Sequence, residues 1–527
     1  MKKHLITTTI LATLATLPPA ASAEESATLP DGNRLVLDKN TVRLLAADGR
    51  ERASLKVRAK HLDTRQLGNN TLAVIVDANQ EHVLPILVDT RAGTLSAQAP
   101  FPAPPFGIES ACLYRDAQQL DHVFMIAKDG QAEQWVMQGD LRLQVRKLAL
   151  PPNSEHCHGD DARHQLLVKE EDAGLWAYNA DAEGAPHRAA VDPDKPKTAP
   201  DQADIKPIVL PLGQTEPVAR QGDAADDPAI WRHPSKPGGA RILGTNKKQG
   251  LLVYDLQGKQ LQLLEVGRLN NVDVRQNVRL GGRQRDVAIA TQRDDNSVMV
   301  FTIDAQGTVT TAGAFPTGLK NIYGMCLYRP ADGGVEAFIN DKDGTFLQYR
   351  IEAGADGKNV SGKLLRRFKV DTQPEGCVVD DRNQRLFLGE ERRGVWTVAA
   401  AGNAPAKLEM IMPVGPQLVA DVEGMGLYHG AKADYLVISS QGDNSYLVLD
   451  ARAPYKVRGS FRVGYNLAAG IDGTSETDGL EVSSANFGGP YANGMIVIQD
   501  GYKRLPDGPQ NFKYVAWDDV ARALKLD

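Results

Sequence analysis

The sequence has little that would point to a membrane, a nucleic acid or a zinc ion. Beyond its N-terminus it contains no run of about 18 apolar residues, the length that a helix needs to cross a bilayer. Neither charge sign prevails, because 60 Lys and Arg residues oppose 66 Asp and Glu residues, and this gives no support to a polybasic binding surface. Only His233 and His429 follow residue 214, and no Cys-x-x-Cys spacing occurs, so zinc is not indicated.

The N-terminus has the features of a secretory signal peptide. Lys2 and Lys3 precede a mostly apolar stretch, and Ala21-Ser22-Ala23 offers the small residues of a cleavage site. We therefore expect residues 1–23 to be removed and the protein to be periplasmic or extracellular, in a compartment that permits disulfides.

The remaining chain is predicted to be all-β. Short β-branched runs alternate with Gly, Asp and Asn turns, and amphipathic helical windows are scarce, which favours a sandwich, a barrel or a propeller. A stretch rich in Pro and charge, without apolar periodicity, is interpreted as a linker over residues 191–213. It separates residues 24–190 from residues 214–527.

An internal repeat relates the two segments. Ile108-Glu-Ser-Ala-Cys-Leu-Tyr-Arg115 aligns with Ile322-Tyr-Gly-Met-Cys-Leu-Tyr-Arg329, and Glu155-His-Cys157 aligns with Glu375-Gly-Cys377. Asp63 and Arg65 match Asp273 and Arg275. The first segment is therefore interpreted as a partial, diverged copy of the second.

The four cysteines follow the same repeat. Cys112 and Cys157 occupy the positions of Cys326 and Cys377. Duplicated pairs in an exported protein are more simply disulfides than metal ligands, so we predict one disulfide within each segment.

The second segment is rich in carboxylates at predicted turns, with cations interspersed. Together the carboxylates suggest sites for Ca²⁺, which takes 6–8 oxygen ligands. Cations among them suit an anion and phosphoryl-transfer chemistry, in which positive charge stabilises the reacting oxygens. The carboxylates are Asp226, Asp227, Asp273, Glu375, Glu390, Glu391, Asp421, Glu423, Asp443, Asp472, Asp478 and Asp500, and the cations are Lys247, Lys248, Arg275, Arg293 and Lys342.

A series of motifs across residues 214–527 resembles the β-propeller phytases, in the order of that family. The motifs are Asp226-Asp-Pro-Ala-Ile-Trp231, Gly244-Thr-Asn-Lys-Lys248, Asn270-Asn-Val-Asp-Val-Arg275, Ile322-Tyr-Gly324, Glu375-Gly376, Asp421-Val-Glu-Gly424, Ser439-Ser-Gln-Gly442, Asp472-Gly-Thr-Ser-Glu-Thr-Asp-Gly479 and Asn511-Phe-Lys513. The resemblance implies a six-bladed β-propeller with several Ca²⁺ ions. It also implies hydrolysis of phosphomonoesters of myo-inositol hexakisphosphate, free or as its calcium complex, by a metal-activated water.

The resemblance also implies roles for individual residues. Some residues would contact phosphate oxygens or act beside the metal in catalysis. They are Lys247, Arg293, Tyr323, Lys342 and Glu423. The residues implied in substrate binding are Asn271, Arg275 and Asp343. The implied calcium ligands are Asp226, Asp227, Glu375, Glu391, Asp421, Glu423, Gln441, Asp472, Asp478 and Asp500.

Two other functions stay open at this point: a calcium-dependent propeller esterase or lactonase, and a calcium-stabilised binding propeller without catalysis. The first segment lacks counterparts of Asp226, Asp227 and Lys247 and is too short for six blades. We expect it to be inactive alone and to pack on its own C-terminal propeller, because an incomplete propeller leaves apolar faces that need a partner.

Overall fold

The fold is almost entirely β-structure. The computed structural model describes residues 25–38, 40–128, 130–151, 154–170, 174–185, 187–191, 205–220 and 223–526. Within these residues the strands pair into ten sheets, and α1 at the C-terminus is the one α-helix. No helix in this part of the chain has the length and apolar character needed to span a membrane. The all-β prediction is confirmed.

The strands of residues 25–191, called here the N-terminal module, form four antiparallel sheets of four consecutive strands each. In chain order they are β1 (Ser26–Thr28), β2 (Arg34–Asp38), β3 (Thr41–Leu45) and β4 (Glu51–Lys56); β5 (Ala59–Leu67), β6 (Asn70–Asp77), β7 (His82–Asp89) and β8 (Thr94–Ala97); β9 (Ser110–Arg115), β10 (Asp121–Ile126), β11 (Gln131–Gln138) and β12 (Leu141–Ala149); and β13 (Ser154–Asp160), β14 (Gln165–Glu170), β15 (Gly174–Asn179) and β16 (Arg188–Val191).

Residues 205–526, called here the propeller, begin with two short strands and continue with six sheets. The strands are β17 (Ile208–Val209) and β18 (Gly213–Gln214); β19 (Ala225–Trp231), β20 (Arg241–Asn246), β21 (Gly250–Tyr254) and β22 (Gln260–Leu264); β23 (Leu269–Leu280), β24 (Arg283–Gln292), β25 (Ser297–Ile303) and β26 (Val309–Pro316); β27 (Ile322–Tyr328), β28 (Glu336–Asp341), β29 (Thr345–Glu352) and β30 (Ser361–Lys369); β31 (Pro374–Asp380), β32 (Arg385–Glu390), β33 (Gly394–Ala399) and β34 (Glu409–Pro413); β35 (Val422–His429), β36 (Asp434–Ser440), β37 (Ser445–Asp450) and β38 (Val457–Val463); and β39 (Leu480–Ser483), β40 (Met495–Asp500) and β41 (Asn511–Ala516), followed by α1 (Trp517–Leu524).

The six sheets form a closed ring of blades. The first strand of each blade lies at the centre, where β19 contacts β23 on one side and β39 on the other. The last blade has only three strands of its own, and β18 completes it by pairing with β41 from the other end of the propeller. Strand β17, which falls in the predicted linker, adds in parallel to β38 at the edge of the fifth blade. The predicted six-bladed propeller is confirmed.

Apolar cores lie between neighbouring blades. One cluster joins Ile242 and Tyr254 of the first blade to Phe512 of the last, so the closure of the ring is packed like the other interfaces. Because the central strands are covered on both sides, β19 is buried along its whole length. Polar residues in these strands, such as Asp226 and Glu423, are therefore buried as well.

Equivalent contacts in the two modules confirm the internal repeat. Asp63 accepts a hydrogen bond from the Leu113 amide at 2.8 Å, as Asp273 does from the Leu327 amide at 2.8 Å. Trp176 donates to Glu170 at 2.6 Å, as Trp396 donates to Glu390 at 2.9 Å.

The predicted disulfides are present. Cys112 is bonded to Cys157, joining β9 to β13, and Cys326 is bonded to Cys377, joining β27 to β31. Each disulfide thus links the central strands of two successive sheets.

Candidate functional site

The site is built from the same local irregularity in five blades. The central strands β19, β23, β27, β31 and β35 each lose their register with the next strand for two residues. Such bulges leave residues unpaired and re-aim their side chains. The residues released are Asp226-Asp227, Asn270-Asn271, Tyr323-Gly324, Glu375-Gly376 and Glu423-Gly424.

Three of these pairs contain a glycine because a residue with a Cβ atom would not fit there. A Cβ on Gly376 would collide with the backbone oxygen of Glu423, and one on Gly324 would collide with that of Glu375. The neighbouring central strand therefore passes directly over each glycine. This close packing brings the glutamates of successive blades together.

Three buried glutamates form the centre of the site. One carboxylate oxygen from each of Glu375, Glu391 and Glu423 lies within 4.8 Å of the others. Burial, with the nearby Glu375, raises the pKa of Glu423 well above its usual range. Burial and the same neighbour raise the pKa of Glu391 to about 7, although a hydrogen bond from Gln373 at 2.6 Å opposes this. The cluster thus resists carrying its full negative charge without a cation.

Asp226 lies beside this cluster without hydrogen-bond partners. Its side chain is fully buried, and neither carboxylate oxygen accepts a hydrogen bond within the described structure. One oxygen of Glu423 is equally unpartnered. Burial raises the pKa of Asp226 well above its usual range, and Lys247 opposes the shift. Orphaned buried oxygens are costly and need an explanation, such as an ion.

Lys247 lies between two carboxylates of the cleft. Its Nζ lies 2.6 Å from Asp478 Oδ2 and 2.5 Å from Asp223 Oδ1. Burial favours the neutral amine, but Asp226, Asp478 and Asp223 outweigh it and raise the lysine pKa. Gln441 donates to the other oxygen of Asp478 at 2.8 Å.

A cationic group surrounds Tyr323. Lys342 Nζ lies 3.9 Å from the centre of the Tyr323 ring, and the Arg293 guanidinium lies 5.6 Å from it. Burial, followed by the charges of Glu375 and Glu423, raises the pKa of the Tyr323 hydroxyl. Tyr323 therefore stays protonated at neutral pH and able to donate a hydrogen bond.

Asp472 and Asp500 form a separate buried cluster. Lys513 Nζ lies 2.7 Å from Asp472 Oδ1 and 2.9 Å from Asp500 Oδ2, and all three side chains are fully buried. Burial and the adjacent Asp472 raise the pKa of Asp500 to about 7, although Lys513 opposes the shift.

A cleft of about 930 Å³ is lined by some of the predicted site residues. Those that line it are Lys247, Tyr323, Glu391, Asp421, Glu423, Gln441 and Asp478. Asn271 and Arg275 instead line another cavity, of about 280 Å³, together with Asp227. Arg275 donates to Asp381 at 3.0 Å and to Asp273 at 2.8 Å, so its guanidinium is engaged. Asp343 lies at a turn, 3.7 Å from Lys369.

Several residues around the site have no role assigned by the sequence analysis. Asn270 donates to Glu375 at 2.6 Å and accepts from Arg293 at 3.1 Å, and so links two predicted residues. The sequence does single out Lys513, because this lysine interrupts the apolar run of β41 between Phe512 and Tyr514. The sequence does not single out Gln373, because an isolated glutamine before a strand is common in proteins of any function.

Comparisons with known proteins identify the family of this chain. The family model described as Phytase matches residues 197–527. A similar protein from Bacillus subtilis (strain 168), named 3-phytase, is 38% identical over 324 residues, which cover 59% of this chain and 84% of that protein.

Proposed function

Because the chain belongs to the β-propeller phytase family, we propose that its propeller is a calcium-dependent phytase that releases phosphate from myo-inositol hexakisphosphate. The relative named 3-phytase supports the substrate. The observation that carries the proposal is the buried cluster of Glu375, Glu391 and Glu423, of which Glu391 and Glu423 line a cleft together with Lys247. Carboxylates that require a cation, beside a lysine, suit a polyanionic substrate better than a neutral ester or lactone.

The donor set fits calcium. The groups are carboxylate oxygens, which Ca²⁺ prefers, and Asp226 and Glu423 keep buried oxygens without partners. We propose Asp226, Glu375, Glu391, Asp421, Glu423 and Asp478 as ligands or as groups that orient the waters of the ion, with Gln441 beside them. When bound, calcium supplies positive charge toward phosphate oxygens and lowers the pKa of a coordinated water. Asp227, Asp472 and Asp500 are proposed for further ions.

The protein's own cations bind and orient the phosphate. Lys342 and Arg293 flank the Tyr323 ring, so the three side chains form one surface of donors. Lys247 is held between carboxylates, which keep it charged and fix its Nζ at the cleft. These groups stabilise charge that grows on the phosphate oxygens as the ester bond breaks.

The proposal includes export and two domains. Two disulfides are typical of proteins that function outside the cytoplasm. Residues 1–23, interpreted as a signal peptide, and residues 192–204 of the linker lie outside the described part of the chain.

Phosphate release from myo-inositol hexakisphosphate, with Ca²⁺ and with excess chelator, tests the function. We expect release only with Ca²⁺. Release that persists in chelator contradicts the metal assignment. Absence of release under all conditions contradicts the phytase assignment and leaves the esterase and binding alternatives, which a p-nitrophenyl acetate assay separates.

A further inference from the structure

The cleft that contains the candidate catalytic residues is lined by both modules. Residues 144–148 of β12, together with Glu183 and Gly184, line it beside Lys247 and Asp478 of the propeller. We propose that the N-terminal module completes the substrate site, and that Lys147 binds a peripheral phosphate group of the substrate. This inference rests on the proposed function, since it assumes a polyanion in the cleft.

Reciprocal hydrogen bonds hold the two modules together. The Gln118 side chain accepts from the Tyr465 amide at 3.0 Å and donates to the Tyr465 carbonyl at 3.3 Å. Asp181 lies 3.3 Å from the Arg462 guanidinium. The contacts thus join two loops of the N-terminal module, one after β9 and one after β15, to β38 and the residues that follow it.

Glu183 extends this interface to the rim of the cleft. Its carboxylate pairs with Arg504, and its backbone carbonyl accepts from the Asn444 side chain. Arg504 in turn donates through its backbone amide to Asp472. The loop after β15, which lines the cleft beside β12, is therefore connected to a loop that carries a predicted calcium ligand.

An apolar cluster supports the same interface. Val136 and Val145 of the N-terminal module pack with Tyr465 of the propeller, and Leu467 packs against them. Tyr465 is 5% exposed and Val145 is 2% exposed. Val145 lies two positions before Lys147, so this packing fixes the strand that presents the lysine.

Arg146 and Lys147 have different roles although they are neighbours. Arg146 is buried and donates to the carbonyls of Asn179 at 2.7 Å and Gly184 at 3.2 Å. In the propeller, Arg366 makes the same type of contacts, to the carbonyls of Ala399 and Ala404. Arg146 therefore connects neighbouring sheets of the N-terminal module, as Arg366 connects neighbouring blades of the propeller.

Lys147 has no comparable structural use. It is exposed, and within the described residues it makes no side-chain hydrogen bond or ion pair. Glu133, opposite it in the strand ladder, instead accepts from Trp135 at 2.9 Å. Lys503 and Arg504 add positive charge to the same cleft, and four of its eight carboxylates, Glu391, Asp421, Glu423 and Asp478, belong to the predicted calcium site. A polyanion with several phosphate groups matches this distribution.

The test compares Lys147→Ala, Lys147→Glu and Lys147→Arg in the full chain, with Lys56→Ala as the control. Lys56 is also an exposed strand lysine of the N-terminal module, and it does not line the cleft. On myo-inositol hexakisphosphate we expect Lys147→Ala to raise KM about three- to tenfold with kcat nearly unchanged, since one charge-assisted contact is lost. Lys147→Glu should raise KM further, Lys147→Arg should restore it, and added salt should reduce the differences.

The outcomes separate this inference from the function on which it rests. If the unsubstituted protein releases no phosphate, the proposed function fails. If it releases phosphate and KM is the same in Lys147→Ala, Lys147→Glu and the control, the function stands and this inference is wrong. A fall in kcat and melting temperature without a change in KM also contradicts it, because it indicates a structural role.

Discussion

The charges of single residues in the cleft depend closely on one another, because buried carboxylates lie beside each other and beside Lys247. The carboxyl of Asp478 is buried, which raises its pKa to about 6 despite its contact with Lys247 at 2.6 Å. Replacing one charged partner in such a cluster leaves the other uncompensated, which is costly in a buried site. The charge of Lys247 therefore contributes to the local charge balance.

Lys247→Ala tests the role of the cleft lysine. We expect phosphate release to fall about a hundredfold, because a fixed donor to the phosphate oxygens is lost. The melting temperature should fall as well, because Asp478 loses its buried cation, whereas circular dichroism should still show the folded β-structure. Lys259→Ala, at an exposed lysine of the same blade, serves as the control and should behave like the unsubstituted protein. Unchanged kinetics in Lys247→Ala would show that the lysine does not contact the substrate.

A second residue-scale prediction concerns His164 in the N-terminal module. A hydrogen bond and the charge of Asp181 raise the pKa of His164 above its usual 6.5, against partial burial and the charge of Arg462. Tyr114 Oη lies 2.6 Å from its Nδ1, and Asp116 adds negative charge. A raised pKa in the folded state means that stabilisation is complete below about pH 6.5 and is lost as pH rises through the folded pKa.

The substitution His164→Asn removes this titration while keeping the backbone, since His164 has a φ of 52° and Asn tolerates that region. We expect the melting temperature of the variant to fall below that of the unsubstituted protein at about pH 5.5 and to approach it at about pH 8.5. A difference that is constant across this range, or that grows with pH, would contradict the prediction.

The residues of the cleft were predictable in part. The motif glutamates and Lys247 were identified because the acidic and basic residue types stand at turn-like positions in a recognisable order. The engagement of Arg275 with Asp273 and Asp381 was not predictable, because it depends on how neighbouring blades face each other. Lys147 was not identified because its strand belongs to the other module.

At the scale of elements, the bulged central strands explain the motif in which glutamate precedes glycine. The strand register is lost at these pairs, and the next strand approaches too closely for a Cβ. Short apolar runs and turns predicted the β-strands, and the resemblance to the β-propeller phytases implied the blades. The bulges leave no signal in a pattern of period two.

Gly376→Ala tests this packing. The new methyl group would collide with the backbone oxygen of Glu423, so β31 and β35 must separate. We expect a loss of about 1–3 kcal/mol in the free energy of unfolding, with lower phosphate release because Glu375 and Glu423 move apart. Gly415→Ala is the matched control, since nothing lies within 4 Å of its added Cβ. Equal stability in the two variants would show that the strands are not held this closely.

At the scale of the whole molecule, calcium is expected to stabilise the propeller as well as activate it. The carboxylates of Glu375 and Glu423, on two central strands, and of Glu391, in the turn after β32, lie close together and repel one another without a cation. A ligand that binds only the folded state adds stability of about 2.7 kcal/mol at a hundred times its Kd. We expect the melting temperature to fall with chelator and to rise with Ca²⁺ concentration. A melting temperature independent of Ca²⁺ would mean that the cluster is not a high-occupancy calcium site.

The arrangement of the two modules is the least predictable part of the fold. Packing of the N-terminal module on the propeller was expected from its incomplete set of blades. Its location at the cleft depends on single loop residues, such as Gln118, Asp181 and Glu183, which carry no pattern. In the sequence alone, such residues cannot be distinguished from other polar surface residues.

Separating the modules tests whether this location affects function. We expect residues 24–200 alone to be inactive, because that segment lacks counterparts of Asp226, Asp227 and Lys247. Residues 205–527 alone should release phosphate, since every blade of the propeller is retained, but with a raised KM because β12 no longer lines the cleft. The same fragment should melt earlier and aggregate more readily, since it exposes Tyr465, now 5% exposed. Kinetics and melting identical to the full chain would make the N-terminal module a passenger, and an active first fragment would overturn the division of roles.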